Sequence, residues 1–282
     1  MKVLCLFVRH GSERYPNALA QLDAWYARQG LLDQRILWVI DNSLPAGTPP
    51  TQLGPASFLR AGDNRAWEFS GWASAIEDAR AVPDIEIVHF VTSAFNTLYT
   101  GYLGHFRPEM LSYVAARRVC LGHIDAYPTP VTIRGTASSS WIRTCFFFLS
   151  RELALSPRPW VGFAEESQIF LEGHARCFRP DAPLSADYQD RITHWLEGGE
   201  QGGHQWHSAI GSGEEESQRF RQKTLAILNE HQLSIRLRSE GIALTDFCWT
   251  WTLSTPLAST WNSPPDWIDQ LRARRRVLGI PE

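Results

Sequence analysis

The sequence has 282 residues, of which 44% are hydrophobic and 20% are charged, and its formal net charge is −3. A chain of this length can bury one large core or two small ones, and its composition is that of a globular protein. The slightly acidic balance excludes a protein that is drawn to nucleic acid by its overall charge.

The five cysteines are scattered and include no Cys-x-x-Cys pair. An odd number of cysteines in a chain of this size predicts reduced thiols in a cytoplasmic protein. The first apolar run is too short for a signal peptide, and no apolar stretch has the length of a membrane span. We therefore expect a cytoplasmic protein with at most peripheral contact with the inner membrane.

Hydrophobic patterning predicts alternating strands and helices along the first two thirds of the chain. Continuous apolar runs, typical of strands buried on both faces, occupy 2–8, 35–43 and 84–95. Helical patterns cover 18–30, 67–80, 102–118 and 163–175, and residues 118–133 have the pattern of strand and loop. The β-α-β order at the start predicts a sheet that is parallel at least in this half.

The sequence changes character near residue 188. Residues 197–217 are polar and rich in glycine, which predicts a loop, and 218–241 have the pattern of a long amphipathic helix. We therefore divide the chain into a catalytic α/β domain, residues 1–185, and a glycine-rich loop and helical C-terminal extension, residues 186–282, packed on it. The long helix permits a homodimer without requiring one.

The first strand ends in Arg9-His10-Gly11, and the histidine phosphatases and phosphoglycerate mutases begin in a similar way. In such an enzyme His10 would accept a phosphoryl group inside a basic pocket that also needs a second arginine and a late second histidine. Arg60 resembles the second arginine only faintly, and no later histidine follows a strand as required. A phosphohydrolase that uses His10 is the alternative interpretation.

Polar residues follow three of the predicted strands, at positions 9–11, 41–43 and 92–94. Ligands of open α/β sheets bind outside the carboxyl ends of the strands. Three polar strand ends therefore predict one ligand-binding crevice at this edge of the sheet.

The segment 62–79, GDNRAWEFSGWASAIEDA, resembles the GT-A-fold glycosyltransferases of the family 2 type, in which an asparagine-rich turn precedes a helix. It is more similar still to the branch that resembles rhamnan synthesis protein F, where the stretch is approximately R-E-N-x-G-x-D-F-G-A-W. Residues 63–64 and 68–72 match that stretch in order and spacing. With similar segments at 144–153 and 163–173, the resemblance covers roughly the first 180 residues.

The resemblance implies an α/β protein with a GT-A-like (Rossmann-type), mixed but mostly parallel sheet flanked by helices. It implies transfer of a sugar from a nucleotide-sugar donor to an oligosaccharide or lipid-linked sugar acceptor in bacterial cell-surface polysaccharide biosynthesis. The donor would contact Arg9, His10, Asp41, Asn42, Asp63, Asn64, Trp67, Thr92 and Ser93. The acceptor would contact His123, Asp125, Tyr127 and Arg143.

The resemblance also implies a base that removes the proton of the acceptor hydroxyl. Glu166, or Glu165, would have this role at the start of the predicted helix 163–175. The helix dipole keeps a carboxylate in the first turn ionised, and an ionised carboxylate can accept the proton.

The chain departs from the family because it contains no Asp-x-Asp motif. Thr92 and Ser93 cannot replace carboxylates in holding Mg²⁺ or Mn²⁺, so no residue is assigned as a metal ligand. Either Asp41 and other groups hold a divalent ion, or cations such as Arg9 and His10 neutralise the diphosphate directly. A non-catalytic carbohydrate-binding protein of GT-A-like shape is a third interpretation.

Overall fold

The computed structural model describes residues 1–97, 100–174, 176–201, 204–205, 209–211, 213–253 and 263–280. Eight strands of these residues form one mixed sheet: β1 (Lys2–Arg9), β2 (Arg35–Asp41), β3 (Thr51–Gly54), β4 (Ser57–Ala61), β5 (Ile85–Thr92), β6 (Val119–Ile133), β7 (Thr136–Ser150) and β10 (Ala243–Asp246). Two further strands, β8 (Glu200–Gln201) and β9 (His204–Gln205), pair only with each other.

Helices flank the sheet: α1 (Ala18–Arg28), α2 (Trp67–Ala79), α3 (Glu109–Ala116), α4 (Arg151–Leu155), α5 (Ala186–Leu196), α6 (Glu214–Ser239), α7 (Phe247–Trp251) and α8 (Trp267–Leu278). Single 3-10 turns lie at Leu32–Gln34, Gly101–His105 and Glu166–Gln168. Among the described residues, no helix combines the length and the apolar character that crossing a membrane requires.

The strand order is β10-β6-β7-β5-β1-β2-β4-β3. The central strand β1 is parallel to β2 on one side and to β5 on the other, whereas β7 is antiparallel to both of its neighbours. The chain leaves β1 towards β2 and β4 and then returns to the opposite side of β1 with β5. The order in which strands are added to the sheet therefore reverses at β1, and the carboxyl ends of β1 and β5 form a topological switch point.

The helices α1 and α2 cover opposite faces of the sheet, which explains why β1 is apolar along its whole length. Trp25 of α1 packs in one core with Cys5 and Phe7, and Trp72 of α2 packs in a second core with Leu6. Successive residues of a strand point to opposite faces, so a strand covered on both sides needs apolar residues throughout.

The hairpin of β6 and β7 extends past the end of β5, because the last residue pair between β5 and β7 is Val91 with Phe146. A third core lies around the outer part of this hairpin, where α5 and the first half of α6 pack on residues such as Tyr127 and Ile133. Helix α5 and the first half of α6 therefore cover the part of the hairpin that extends past β5.

The C-terminal part of the chain also contributes to the main sheet. Strand β10 pairs in parallel with β6, and α8 covers the open edge of β10. The side chain of Gln270 accepts a hydrogen bond from the Asp246 backbone N–H at 2.7 Å and donates one to the Leu244 carbonyl at 3.1 Å. These bonds satisfy backbone groups that an edge strand would otherwise leave unpaired.

Three element predictions are wrong in part. The predicted helix 163–175 is not formed over its described residues, 163–174, which contain a 3-10 turn at Glu166–Gln168 followed by irregular chain. The predicted helix 102–118 is divided at Pro108 into a 3-10 turn and α3. The segment 118–133, predicted to be strand and loop, forms the strand β6 from Val119 onwards. A bulge between Ala126 and Val131 accommodates the prolines within the ladder.

Candidate functional site

Asp41, at the end of β2, holds the carboxyl ends of β1 and β2 together. Its Oδ2 accepts a hydrogen bond from Arg9 Nε at 2.7 Å, and its Oδ1 accepts bonds from Gly11 N at 2.9 Å, Ser43 N at 3.0 Å and Ser43 Oγ at 2.7 Å. Burial raises the pKa of Asp41, but the bonds from Ser43, Gly11 and Arg9 outweigh it and hold the pKa below its usual value. Asp41 is therefore an ionised carboxylate whose oxygens are already engaged by the protein.

Asn42 joins the same strand end to the start of α2. Its Nδ2 donates to Asn64 Oδ1 at 3.2 Å and to the Trp67 carbonyl at 3.0 Å. Asn64 and Trp67 have positive φ angles of 50° and 54°, which residues other than glycine seldom adopt. The Asn42 amide thus holds the strained turn at 62–67, which leads into α2. Asp63, in that turn, pairs with its exposed neighbour Arg65 at 2.7 Å.

Thr92 and Ser93 lie on the other side of β1, at the switch point. The Ser93 backbone N–H donates to the Val8 carbonyl at 2.9 Å, which places Ser93 beside Arg9. Both residues are partly exposed, as is Arg9, and His10 is exposed. The predicted strand-end residues are therefore adjacent along one edge, as the parallel pairing requires.

Lys223 of α6 approaches this edge from the side of α2. Its Nζ lies 3.8 Å from the centroid of the Trp67 ring, in cation–π geometry. Burial lowers the pKa of Lys223 to about 8, Glu68 opposes this shift, and the charges of Arg14 and Arg219 lower the pKa further. The charges of Arg14, in the loop after β1, and of Arg219, in α6, therefore act on Lys223, and Arg219 also pairs with Glu216 at 3.6 Å.

Glu230, two helical turns beyond Lys223, is fixed at the same edge by β7. Its Oε1 accepts hydrogen bonds from Thr144 N at 2.7 Å and from Thr144 Oγ1 at 2.9 Å. Thr144 precedes by two positions Phe146, which pairs with Val91 near the end of β5. Glu230 is therefore fixed next to the place where β5 ends. Among the described residues, none donates a hydrogen bond to its second oxygen, and the residue is partly exposed.

The pKa of Glu230 is raised to about 7 by burial, although hydrogen bonds from Thr144 and the charge of Arg143 oppose the shift and Glu68 adds to it. Burial also raises the pKa of Glu68, whose Oε1 lies 3.5 Å from Thr144 Oγ1. The crevice thus contains a carboxyl group that is fixed by two bonds and exchanges its proton near neutral pH.

Three of the four predicted acceptor residues form a second cluster, on the opposite side of β7. Asp125 Oδ2 accepts a bond from Arg143 Nε at 2.5 Å, and the His123 ring lies 3.3 Å from Asp125 Oδ1. Burial raises the pKa of Asp125, but the charges of Arg143 and His123 overcome it and hold the pKa well below its usual range. The fourth, Tyr127, is buried in the third core against Trp141 and is not part of this cluster.

Glu165 and Glu166 lie at the 3-10 turn, away from any α-helix N-terminus. Glu166 is paired with Arg221 at 3.2 Å, and Glu165 is exposed. The predicted role of Glu165 or Glu166 depends on a helix dipole, and a 3-10 turn of three residues does not supply one.

The described residues do not fit a divalent metal ion. They contain no group of three or more His, Cys, Asp and Glu side chains in an arrangement that could hold one. Asp41, the carboxylate nearest the switch point, has both oxygens occupied by the bonds from Arg9, Gly11 and Ser43.

Comparison of the chain with protein-family models, with curated protein sequences and with solved structures finds no match.

The sequence did not reveal the contribution of α6 to this site. Lys223 and Glu230 are seven residues apart, so they share a helix face, but an amphipathic helix offers many such pairs. One signal was available, since Lys223 is one of only two lysines in the chain, the other being Lys2. A lysine retained in a chain that otherwise uses arginine is a candidate for a specific role.

Proposed function

We propose that the protein is a glycosyltransferase with a GT-A-like fold that binds a nucleotide sugar in the crevice at the carboxyl ends of β1 and β5. One observation carries the proposal: a topological switch point coincides with a cluster of basic side chains and a carboxyl group that titrates near neutral pH. The resemblance of residues 62–72 supports the same assignment from the sequence. The acceptor would be a carbohydrate.

The diphosphate of the donor would be neutralised by Arg14, Arg219 and Lys223. A leaving diphosphate carries negative charge that grows as the glycosidic bond breaks, and positive groups placed beforehand stabilise it. Arginine binds phosphate through a planar fork, whereas lysine acts as a point charge. The ring of Trp67, against which Lys223 lies, offers a flat surface for the nucleoside or the sugar.

Glu230 is a better candidate than Glu165 or Glu166 for the group that accepts the proton of the acceptor hydroxyl. One of its oxygens is fixed by Thr144, which leaves the other to face a substrate. A base with a pKa near the working pH transfers protons efficiently. Glu166 is instead engaged by Arg221.

A phosphohydrolase that uses His10 is less well supported. The arginine and glycine of the Arg9-His10-Gly11 motif both donate hydrogen bonds to Asp41, so they hold the protein edge together. A carbohydrate-binding protein without transferase activity would keep the crevice but would release no nucleotide.

The experiment is a thermal-shift screen of the wild type against UDP, GDP, dTDP and CMP and their sugars, each with and without Mn²⁺. A ligand present at a hundred times its Kd stabilises the folded state by about 2.7 kcal/mol. The two lysines provide matched variants: we expect Lys223→Gln to lose the shift with its nucleotide and Lys2→Gln to keep it. A shift without Mn²⁺ is expected, because protein cations replace the metal.

Release of the nucleotide from the sugar nucleotide in the presence of carbohydrate acceptors then separates a transferase from a binding protein. A shift with phosphate or vanadate alone, lost in His10→Ala, would favour the phosphohydrolase. If Lys2→Gln and Lys223→Gln respond equally to every nucleotide, the crevice is not the donor site.

A further inference from the structure

The outward face of α8 carries arginines and exposed isoleucines that the proposed reaction does not use. Ile268, Arg272, Arg275 and Arg276 fall within an arc of about 100° at 100° per residue. Ile268 is 41% exposed, and Ile280, just beyond the helix, is 50% exposed. Large apolar side chains thus lie at both ends of a basic face.

The opposite face of α8 is fixed to the protein. Gln270 and Ala273 are buried, and Gln270 is bonded to the edge of β10. Arg274 points inward, where its Nη1 lies 3.2 Å from Asp246 Oδ2 and 3.0 Å from His123 Nε2. Since α8 is held from inside by these bonds, its outer arginines stay outside.

The outer arginines form a local positive region on a chain of net charge −3. Arg275 and Arg276 are exposed, and Arg272 is 63% exposed although it pairs with Asp269 at 2.8 Å. The Ile280 backbone N–H donates to the Arg275 carbonyl at 2.9 Å, which keeps Ile280 beside the basic face.

We propose that this face, formed by Ile268, Arg272, Arg275, Arg276 and Ile280, docks the protein on an anionic membrane surface. A basic face attracts anionic headgroups, and the apolar side chains at its ends can enter the interface between headgroups and acyl chains. The isoleucines favour a membrane over nucleic acid, because a phosphate backbone offers them nothing to bury against. Docking of this kind is peripheral and reversible.

The test is co-sedimentation of the full chain with vesicles of phosphatidylcholine alone and with vesicles that also contain phosphatidylglycerol. We expect binding only to the anionic vesicles, and weaker binding at high salt because the attraction is screened. Each arginine near an anionic surface contributes about a fivefold gain in partition. Arg275→Glu/Arg276→Glu should therefore weaken partition by at least about 25-fold.

Arg28→Glu/Arg80→Glu is the matched control, because it makes the same change in net charge at two exposed arginines on other elements. It should bind nearly as the wild type does. Ile268→Asn removes apolar contact without changing charge and should weaken binding to anionic vesicles as well. The melting temperature of each variant is compared with that of the wild type, and an unchanged value is expected if α8 remains packed on the protein.

Equal binding to neutral vesicles, no vesicle binding at all, or an equal loss in both double variants would overturn the proposal. Self-association that Ile268→Asn abolishes, without any vesicle binding, would also overturn it and make this face a contact between two copies. None of these outcomes depends on sugar transfer, so the docking proposal and the proposed function can fail separately.

Discussion

Replacing Gly62 with alanine should destabilise the protein at the turn between β4 and α2. A Cβ added to Gly62 would lie 1.8 Å from Asn42 Oδ1 and 3.2 Å from Ile40 Cγ2. The amide of Asn42 must therefore move, and it is the group that bonds Asn64 and the Trp67 carbonyl. The perturbation thus acts directly on the join between β2 and α2.

The size of the effect follows from the bonds that are broken. Each lost hydrogen bond costs about 1 kcal/mol, and a buried amide left unsatisfied costs about 1–3 kcal/mol more. The alanine recovers up to about 1 kcal/mol, because it reduces the conformational freedom of the unfolded chain. The net loss is about 3 kcal/mol, which lowers the melting temperature by about 5 °C for a chain of this length.

The assay is thermal and urea unfolding of Gly62→Ala beside Gly104→Ala. Gly104 has open space where its Cβ would lie, so its alanine variant should match or slightly exceed the wild type in stability. A Gly62→Ala protein that melts together with Gly104→Ala would refute the tight join between Asn42 and α2. Nucleotide-induced shifts of the Gly62→Ala protein should also be smaller, since α2 begins the candidate site.

Other predictions concern charge. Glu230 has a folded pKa raised from 4.5 to about 7, so its protonated form stabilises the fold below pH 4.5, and this contribution disappears as pH rises through 7. Relative to Glu230→Gln, the wild type should lose about 3 kcal/mol of stability over that range; a constant difference across pH in urea unfolding would contradict the shift. The rate at which acetic anhydride acetylates Lys223 should follow an apparent pKa of about 8, and a nucleotide that binds the protein should slow this acetylation. Mass spectrometry measures the acetylated fraction, with Lys2 as the internal reference, and an apparent pKa above 10 would disprove the burial of Lys223. Asp246→Ala should cost about 3–4 kcal/mol in urea unfolding, because it uncaps α7 and removes the buried carboxylate that pairs with Arg274 and accepts from the Ile124 N–H; a loss below 1 kcal/mol would show that the buried pair is dispensable.

The parallel half of the sheet could be predicted because its strands are apolar throughout. A run such as Leu4–Val8 can only be buried on both faces, and the helix that follows fixes a crossover. The sequence offered no such pattern for β6, where Pro128 and Pro130 suggest a loop. A bulge places those prolines within the ladder, and a bulge depends on the partner strand rather than on the local sequence.

Of the candidate site, the strand ends were predictable and the groups from α6 were not. Arg9, Asp41 and Ser93 meet because parallel strands bring their carboxyl ends to one edge. An acidic pair before an apolar run predicts the start of a helix at Glu165 and Glu166, but the same pattern also occurs at a 3-10 turn, which is what forms there. Lys223 reaches Trp67 only through the packing of α6, which no local pattern indicates.

Helix α6 links the fold of the hairpin to the charge of the crevice. Beyond the end of β5, one edge of β7 has no neighbour among the described strands, and α6 forms hydrogen bonds with it instead. Glu230 accepts a bond from Thr144 N, and Ser234 Oγ accepts one from Ile142 N at 2.9 Å. Arg238 donates to the Ser140 carbonyl at 2.7 Å. These bonds, four residues apart along the helix, set its rotation, because successive turns must face the strand. The same rotation directs Lys223 towards Trp67 and fixes Glu230 at the crevice. The residues of α6 that complete the edge of β7 thus also determine the electrostatics of the site. A division of the chain after residue 185 would separate this edge of the sheet from three ionisable groups of α6, Arg219, Lys223 and Glu230.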